Sequence, residues 1–253
     1  MLDNSKIQSH LKSLLALEYN CAPTDFEAAE NIITTAADVP GRRMYSPQKE
    51  FFSMVTLGRN AVITADERMH KWLRAWCEDK QGFWLFEHAH LMELEEELQK
   101  YGKTLQQSHH MFLPKTDMVE VQADFEMKWF EQKDLAPLYG REEFSNALCS
   151  SFKPERPDVL AVAAMEGDTI IGLAGCSADT ELFWQIGIDV LPGYRGQGIG
   201  TKLVQLLKNE TFRRGAIPFY GTSLSNLHSW NIAINCGFYP AWVEIATEEN
   251  QGS

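Results

Sequence analysis

No apolar run in the chain reaches the roughly 18 residues that a membrane-crossing helix needs, so no helical membrane span is expected. Cysteine is sparse. Cys21, Cys77, Cys149, Cys176 and Cys236 lie far apart, are odd in number and form no C-x-x-C pair. A disulfide scaffold is thereby excluded, and free thiols in a reducing compartment are expected. Basic residues are also few, 23 Lys and Arg against 35 Asp and Glu, for a net charge of -12 over 253 residues. Such a field disfavours nucleic acid and anionic lipid as partners. The opening MLDNSKIQSHLKSLL has no basic flank followed by a pure apolar stretch, so no secretory signal is read there. A cytoplasmic location is the expectation. No repeat of fixed period is present either.

What the chain does contain is enough to build a core. It is 44% hydrophobic, with 14 Phe, 7 Trp and 7 Tyr. Surface scaling allows roughly 70% of the extended chain's area to be buried in one or two domains. Ile7, Leu11, Leu14 and Leu15 share one face of an N-terminal helix. Apolar runs at 31–37 and 51–64, the second interrupted by Gly58 and Asn60, read as strands. Thr64-Ala-Asp-Glu67 has the form of a capping box, followed by a helix ending near Gly82 and a second helix over 83–101. Residues 103–115 read as a strand. Residues 1–120 are therefore expected to form an N-terminal α/β module.

From 121 to 253 the pattern changes. An edge strand at 126–131 and short helices within 134–149 precede two β-rich runs, 159–166 and 169–176, joined by Gly167-Asp168. Then come a strand (182–190), a helix (199–214), a strand (218–224), a helix (227–236) and a last strand (238–245). The whole reads as a mixed α/β plan.

The chemically informative segment is Asp189-Val-Leu-Pro-Gly-Tyr-Arg-Gly-Gln-Gly-Ile-Gly200, which joins a strand to a helix. Gly196, Gly198 and Gly200 remove side chains from the turn, so backbone N–H groups can converge on an anion at the positive end of a helix. Arg195 adds charge, and Lys202 lies on the first helical turn. A Walker A loop is excluded because Gly200 is followed by Thr201-Lys202, the wrong order. The dinucleotide fingerprint G-x-G-x-x-G is also absent. A diphosphate fits the loop; a tight turn that only closes a strand–helix connection is the structural alternative.

R-G-Q-G-I-G after a strand ending V-L-P-G-Y, with Asn226 eleven residues before Gly237-Phe238, resembles the GCN5-related N-acetyltransferase (GNAT) superfamily over about residues 124–248. The resemblance implies a mixed-sheet acyl-CoA N-acyltransferase fold, carrying the N-terminal α/β module as an addition. That module would be a diverged copy of the same fold or a cover on the acceptor side. The resemblance further implies acetyl-CoA as cofactor, in a cleft where the sheet splays after the strand 182–190. Ile188, Val190 and Leu191 would pair with the pantetheine arm. Arg195, Gly196, Gln197, Gly198, Ile199, Gly200 and Thr201 would hold the diphosphate, and Asn226 would touch the pantetheine or support its loop.

The implied reaction moves an acetyl group to a primary amine. It needs a base for the ammonium and a donor for the oxyanion. The position commonly held by a tyrosine acid, seven residues after Asn226, is Ala233. Glu181 and Gln185 are the catalytic candidates, Glu181 as base and Gln185 orienting a water or the acceptor; a solvated turn and lateral packing are their structural readings. The acidic field favours a small cationic amine. Expected partners are that small-molecule amine and a second copy of the chain in a homodimer, with no nucleic acid and no membrane. A non-catalytic acyl-CoA-binding regulatory or interaction protein is the alternative, favoured by Ala233. No metal site is expected: His88 and His90 point apart on a helix, His109 and His110 point to opposite faces of a strand, and no H-E-x-x-H occurs.

Overall fold

The computed structural model describes residues 3–45 and 49–250. Along the chain run α1 (Asn4–Glu18), β1 (Ile32–Thr35), β2 (Phe52–Thr56), β3 (Ala61–Ala65), α2 (His70–Cys77), α3 (His88–Gln99), β4 (Lys103–Leu105) and β5 (His109–Pro114). There follow β6 (Glu126–Glu131), β7 (Asp158–Glu166), β8 (Thr169–Ala178), β9 (Phe183–Val190), α4 (Ile199–Arg213), β10 (Ile217–Ser223), α5 (Leu227–Asn235) and β11 (Phe238–Glu249). The chain forms two compact units, Asp3–Met111 with the chain from Ala241 onward, and Phe112–Pro240. A division at residue 120 differs from this packing at both ends. The second unit begins earlier, and the second half of β11 belongs to the first unit, where Val243–Ala246 pairs antiparallel with β2.

In the first unit, α1 starts where the Asp3 carboxylate accepts the Lys6 amide at 2.9 Å. Its face of Ile7, Leu11, Leu14 and Leu15 is buried, as the spacing requires. β1 runs parallel to β3, and β2 and β3 form an antiparallel hairpin around Gly58, whose φ is 97°. Leu73 and Trp76 of α2 and Leu94 and Leu98 of α3 pack with Phe52, Met54 and Ile63 of the sheet.

Four sequence expectations are corrected over residues 64–115. Thr64 does not cap a helix, because it is held inside β3 opposite Ser53; Asp66 caps instead, accepting the Arg68 amide at 3.0 Å. Helix α2 stops at Cys77, before Asp79 takes a φ of 57°, and not at Gly82. Gly82 serves close approach: a Cβ there would lie 2.0 Å from the Ala61 nitrogen. The helix read over 83–101 begins only at His88, after a 3-10 turn at Gly82–Phe86, and the strand read over 103–115 is split into β4 and β5.

A buried ionic cluster ties α1 to β11. Arg43, 4% exposed, grips Glu18 with two bonds of 2.7 Å and reaches Glu244 at 2.8 Å. Burial pushes the Glu18 carboxyl up despite the guanidinium beside it. Burial also opposes the Arg43 charge, but the two carboxylates outweigh it and hold its proton more firmly than usual. Two carboxylates around one cation make that cation indispensable.

In the second unit β6, β7, β8 and β9 pair antiparallel in sequence, and β10 joins β9 in parallel. The hairpin between β7 and β8 turns at Gly167, where φ is 57°. Leu203, Val204 and Leu207 of α4 pack with Val162, Ala174 and Ile186. Phe144 and Leu148 pack with Ala161, Ala163 and Leu173 in a separate cluster. The helices read within 134–149 are three 3-10 turns, Gln132–Asp134, Ala136–Leu138 and Glu142–Phe144.

Arg43→Met should cost about 3–5 kcal/mol in urea unfolding, because two half-buried carboxylates lose the buried charge between them. A loss below about 1 kcal/mol would show that the cluster is solvated and weak.

Candidate active site

The site is built on β9 and the loop that leaves it. On one side β9 pairs with β8 along its length, from Trp184 opposite Ala178 to Val190 opposite Gly172. On the other side its register with β10 runs only from Phe183↔Ile217 to Ile186↔Tyr220. From Gly187 to Val190 that edge is open to other partners, and this is the splay expected after this strand. Backbone donors and acceptors on an open edge can take an extended ligand as an added strand.

The other face of β9 is clamped. A Cβ on Gly187 would lie 1.8 Å from the Asn146 carbonyl oxygen. Beside it the Asp189 carboxylate accepts the amides of Asn146 (2.7 Å) and Ala147 (2.9 Å) and the Asn146 side-chain amide (2.6 Å). Asp189 is thus an anchor for the turn that precedes β7.

After β9, a 3-10 turn at Pro192–Tyr194 leads to Arg195, whose Nε donates to the Val190 carbonyl at 2.9 Å. Gly196 and Gly198 both take φ of 78°, a left-handed conformation that glycine adopts without strain. Gly198 is the N-cap of α4 and no side chain caps that helix. The amides of its first turn, Ile199, Gly200 and Thr201, have no intrahelical acceptor. Cβ atoms at Gly193, Gly196 and Gly198 would meet nothing within 4 Å, so the space before the helix is open. Gly200 is different: its Cβ would be 3.4–3.6 Å from Ile232, Val190 and Ile188, so it lets the helix start sit close over β9 and α5. Converging amides, a positive helix end and open space fit a diphosphate.

The sequence candidates fare unequally. Arg195 through Thr201 and the strand residues Ile188, Val190 and Leu191 lie at or beside the open edge. The Leu191 amide, however, is used by the Ile171 carbonyl at 2.9 Å. Lys202 pairs with the exposed Asp124 carboxylate at 2.5 Å. Asn226 caps α5, its side chain accepting the Ser229 amide at 3.2 Å. Glu181 is exposed in the turn before β9, about six residues or roughly 20 Å of extended chain from Gly187.

Gln185 accepts from Arg156 Nη2 at 2.7 Å. Arg156 Nε binds Asp179 at 2.8 Å, and Ser177 donates to the same carboxylate oxygen at 2.6 Å. This cluster was missed from sequence, because three of its members come from different strands and loops and carry no motif. Ala233 is fully buried. Among the described residues no three His, Cys, Asp or Glu side chains gather as a metal site, and no helix is long and apolar enough to cross a membrane.

Residues 119–238 match the family model described as Acetyltransferase (GNAT) family. Over these residues the chain is similar to the GNAT acetyltransferases. A mixed sheet of β6–β10 with α4 packed on it occupies this stretch, and the family it resembles uses acetyl-CoA. No curated protein matches the sequence.

Among solved structures, the chain is similar to a GNAT-family protein from Novosphingobium aromaticivorans, at 13% identity over 58% of this chain and 66% of that one, TM-score 0.45. It is also similar to a GCN5-related N-acetyltransferase-like protein from Streptococcus suis, at 20% identity over 71% and 75%, TM-score 0.48. A protein from Salmonella typhimurium solved with its cofactor acetyl-CoA matches at 14% identity over 52% of this chain and 96% of that one, TM-score 0.36.

The clamp on β9 makes a stability prediction. Gly187→Ala should cost about 1–3 kcal/mol in urea unfolding, since the new methyl must displace the Asn146 backbone. Gly193→Ala, which meets open space, should stay within about 0.5 kcal/mol. Equal effects of the two would contradict the close approach.

Proposed function

We propose that the protein transfers an acetyl group from acetyl-CoA to the primary amine of a small cationic acceptor. The observation that carries this reading is the coincidence of an open strand edge at Gly187–Val190 with an uncapped helix start behind two left-handed glycines. Acetyl-CoA supplies an activated acetyl carbonyl as a thioester.

The chain's own residues do the rest. The amides of Gly196, Gln197, Gly198, Ile199, Gly200 and Thr201 hold the diphosphate, and Arg195 sits beside them. The exposed backbone of Ile188 and Val190 aligns the pantetheine arm. An amide on this edge is positioned by β8 on its far side, so it can donate to a developing oxyanion without reorganising. Asn226 acts indirectly, by fixing the start of α5. Gln185 remains the acceptor-side candidate, tied to Arg156 and Asp179 and two residues before the edge opens. Glu181 has no place in this mechanism.

The acceptor class follows from charge. A chain of net charge -12 concentrates cations and repels anionic amines. Buried Ala233 favours one rival, a protein that binds acyl-CoA without turnover.

Calorimetry with acetyl-CoA on the wild type and Gly198→Trp tests the binding half. The indole would enter the space assigned to the diphosphate, so affinity should fall at least a hundredfold. The melting temperature should move by only the few degrees that a residue strained by about 1 kcal/mol implies. Unchanged affinity in a folded variant would contradict the assigned loop.

An amine panel followed by thiol release tests the other half. Small diamines should be acetylated with lower KM than neutral or acidic amines, and their KM should rise with salt. Tight acetyl-CoA binding with no turnover on any amine would favour the non-catalytic rival.

A further inference from the structure

A pair of hydroxyls stands at the apex of the wedge between β9 and β10. Tyr220 is the last β10 residue in register with β9, opposite Ile186. It is 2% exposed, packed between Phe112 and Phe238, and its hydroxyl lies 2.8 Å from Ser229 Oγ on the first turn of α5. Ser229 is only half-buried, and it shares a helix face with Ala233 one turn further on, which offers no donor.

Burial pushes the Tyr220 phenol up to about 12, so it keeps its proton at working pH. When that proton is given to Ser229 Oγ, the serine proton is free to turn elsewhere. A fully apolar apex would be better packed with Phe and Ala. A tyrosine held by a serine at this point spends polar groups where the sheet opens.

The direction of the cleft says what the pair would meet. A ligand anchored by its diphosphate at 196–200 and lying along the edge runs from Val190 towards Gly187. Its far end, which carries the sulfur, reaches the place where pairing with β10 begins. We propose that the Ser229 hydroxyl, held by Tyr220, donates a hydrogen bond to the sulfur of the acetyl donor and stabilises it as it leaves. The inference rests on the acetyl-CoA reading above. In the transfer the amine nitrogen forms the new C–N bond, the C–S bond breaks with its electron pair going to sulfur, and the amine proton passes to water. The serine gives a hydrogen bond and keeps its proton. Tyr220 is a positioning residue.

The test follows the thiol of bound coenzyme A, labelled with 13C on the carbon next to sulfur, through a pH titration by NMR. In the wild type the bound thiol should ionise at lower pH than the free one, because the hydroxyl favours the thiolate. Ser229→Ala should move that titration up by about one pH unit, a tenfold change, and lower kcat about tenfold with KM within threefold. Ser229→Thr, which keeps the hydroxyl, should restore both, and Tyr220→Phe should give an intermediate shift. Coenzyme A bound equally well by wild type and Ser229→Ala, with one and the same thiol titration, would overturn the inference and leave the cofactor reading intact. No binding by the wild type would overturn both.

Discussion

A strand interior to a sheet normally satisfies its backbone on both sides; β9 does so on one side only for its last four residues. Unpaired N–H and C=O groups on a sheltered edge cost free energy unless something meets them. Here one is met from within, by Arg195 on the Val190 carbonyl. The remainder give the domain a built-in demand for an extended ligand. The rest of the site follows from keeping β9 in place while β10 departs. Gly187 and Asp189 lock its outer face to Asn146 and Ala147, and Gly200 lets α4 begin directly over its end. Its loop then turns through two left-handed glycines into the helix, so that the edge and the anion cradle are parts of one continuous segment.

The second unit was readable because its signals are local. Alternation around Gly167-Asp168 gives a hairpin, and the spacing of glycines between a strand and a helix announces an open turn. Register is not local. Nothing near residue 243 says that the chain returns to pair with β2, so a boundary drawn by sequence position left the end of β11 with the wrong unit. Thr64 shows a second limit. Its capping pattern is good, but pairing with Ser53 in β3 takes precedence over a local hydrogen bond, and the cap passes to Asp66. The three 3-10 turns before Leu148 likewise arise from docking on Ala161, Ala163 and Leu173, which no periodicity in 134–149 could announce.

The glycine loop was legible for the same reason, and the side-chain cluster around Gln185 was not. Phosphates are held by backbone geometry that glycine positions reveal. Acid–base chemistry depends on side chains from separate elements meeting in space. Gln185 finds Arg156 and Asp179 only through folding, and Tyr220 finds Ser229 across nine residues and a change of element. The partner of Lys202, Asp124, lies in a loop with no pattern and could not be foreseen. Glu181, two residues before β9, is exposed in its turn, and no sequence pattern says what it would face.

Backbone hydrogen exchange with and without acetyl-CoA reads the open edge and the glycine loop together. The ligand should slow exchange at the amides of Ile188, Val190 and Gly196–Gly200, with little change in the first unit. Saturating ligand that left those amides exchanging freely, or protected another region instead, would contradict the assigned site.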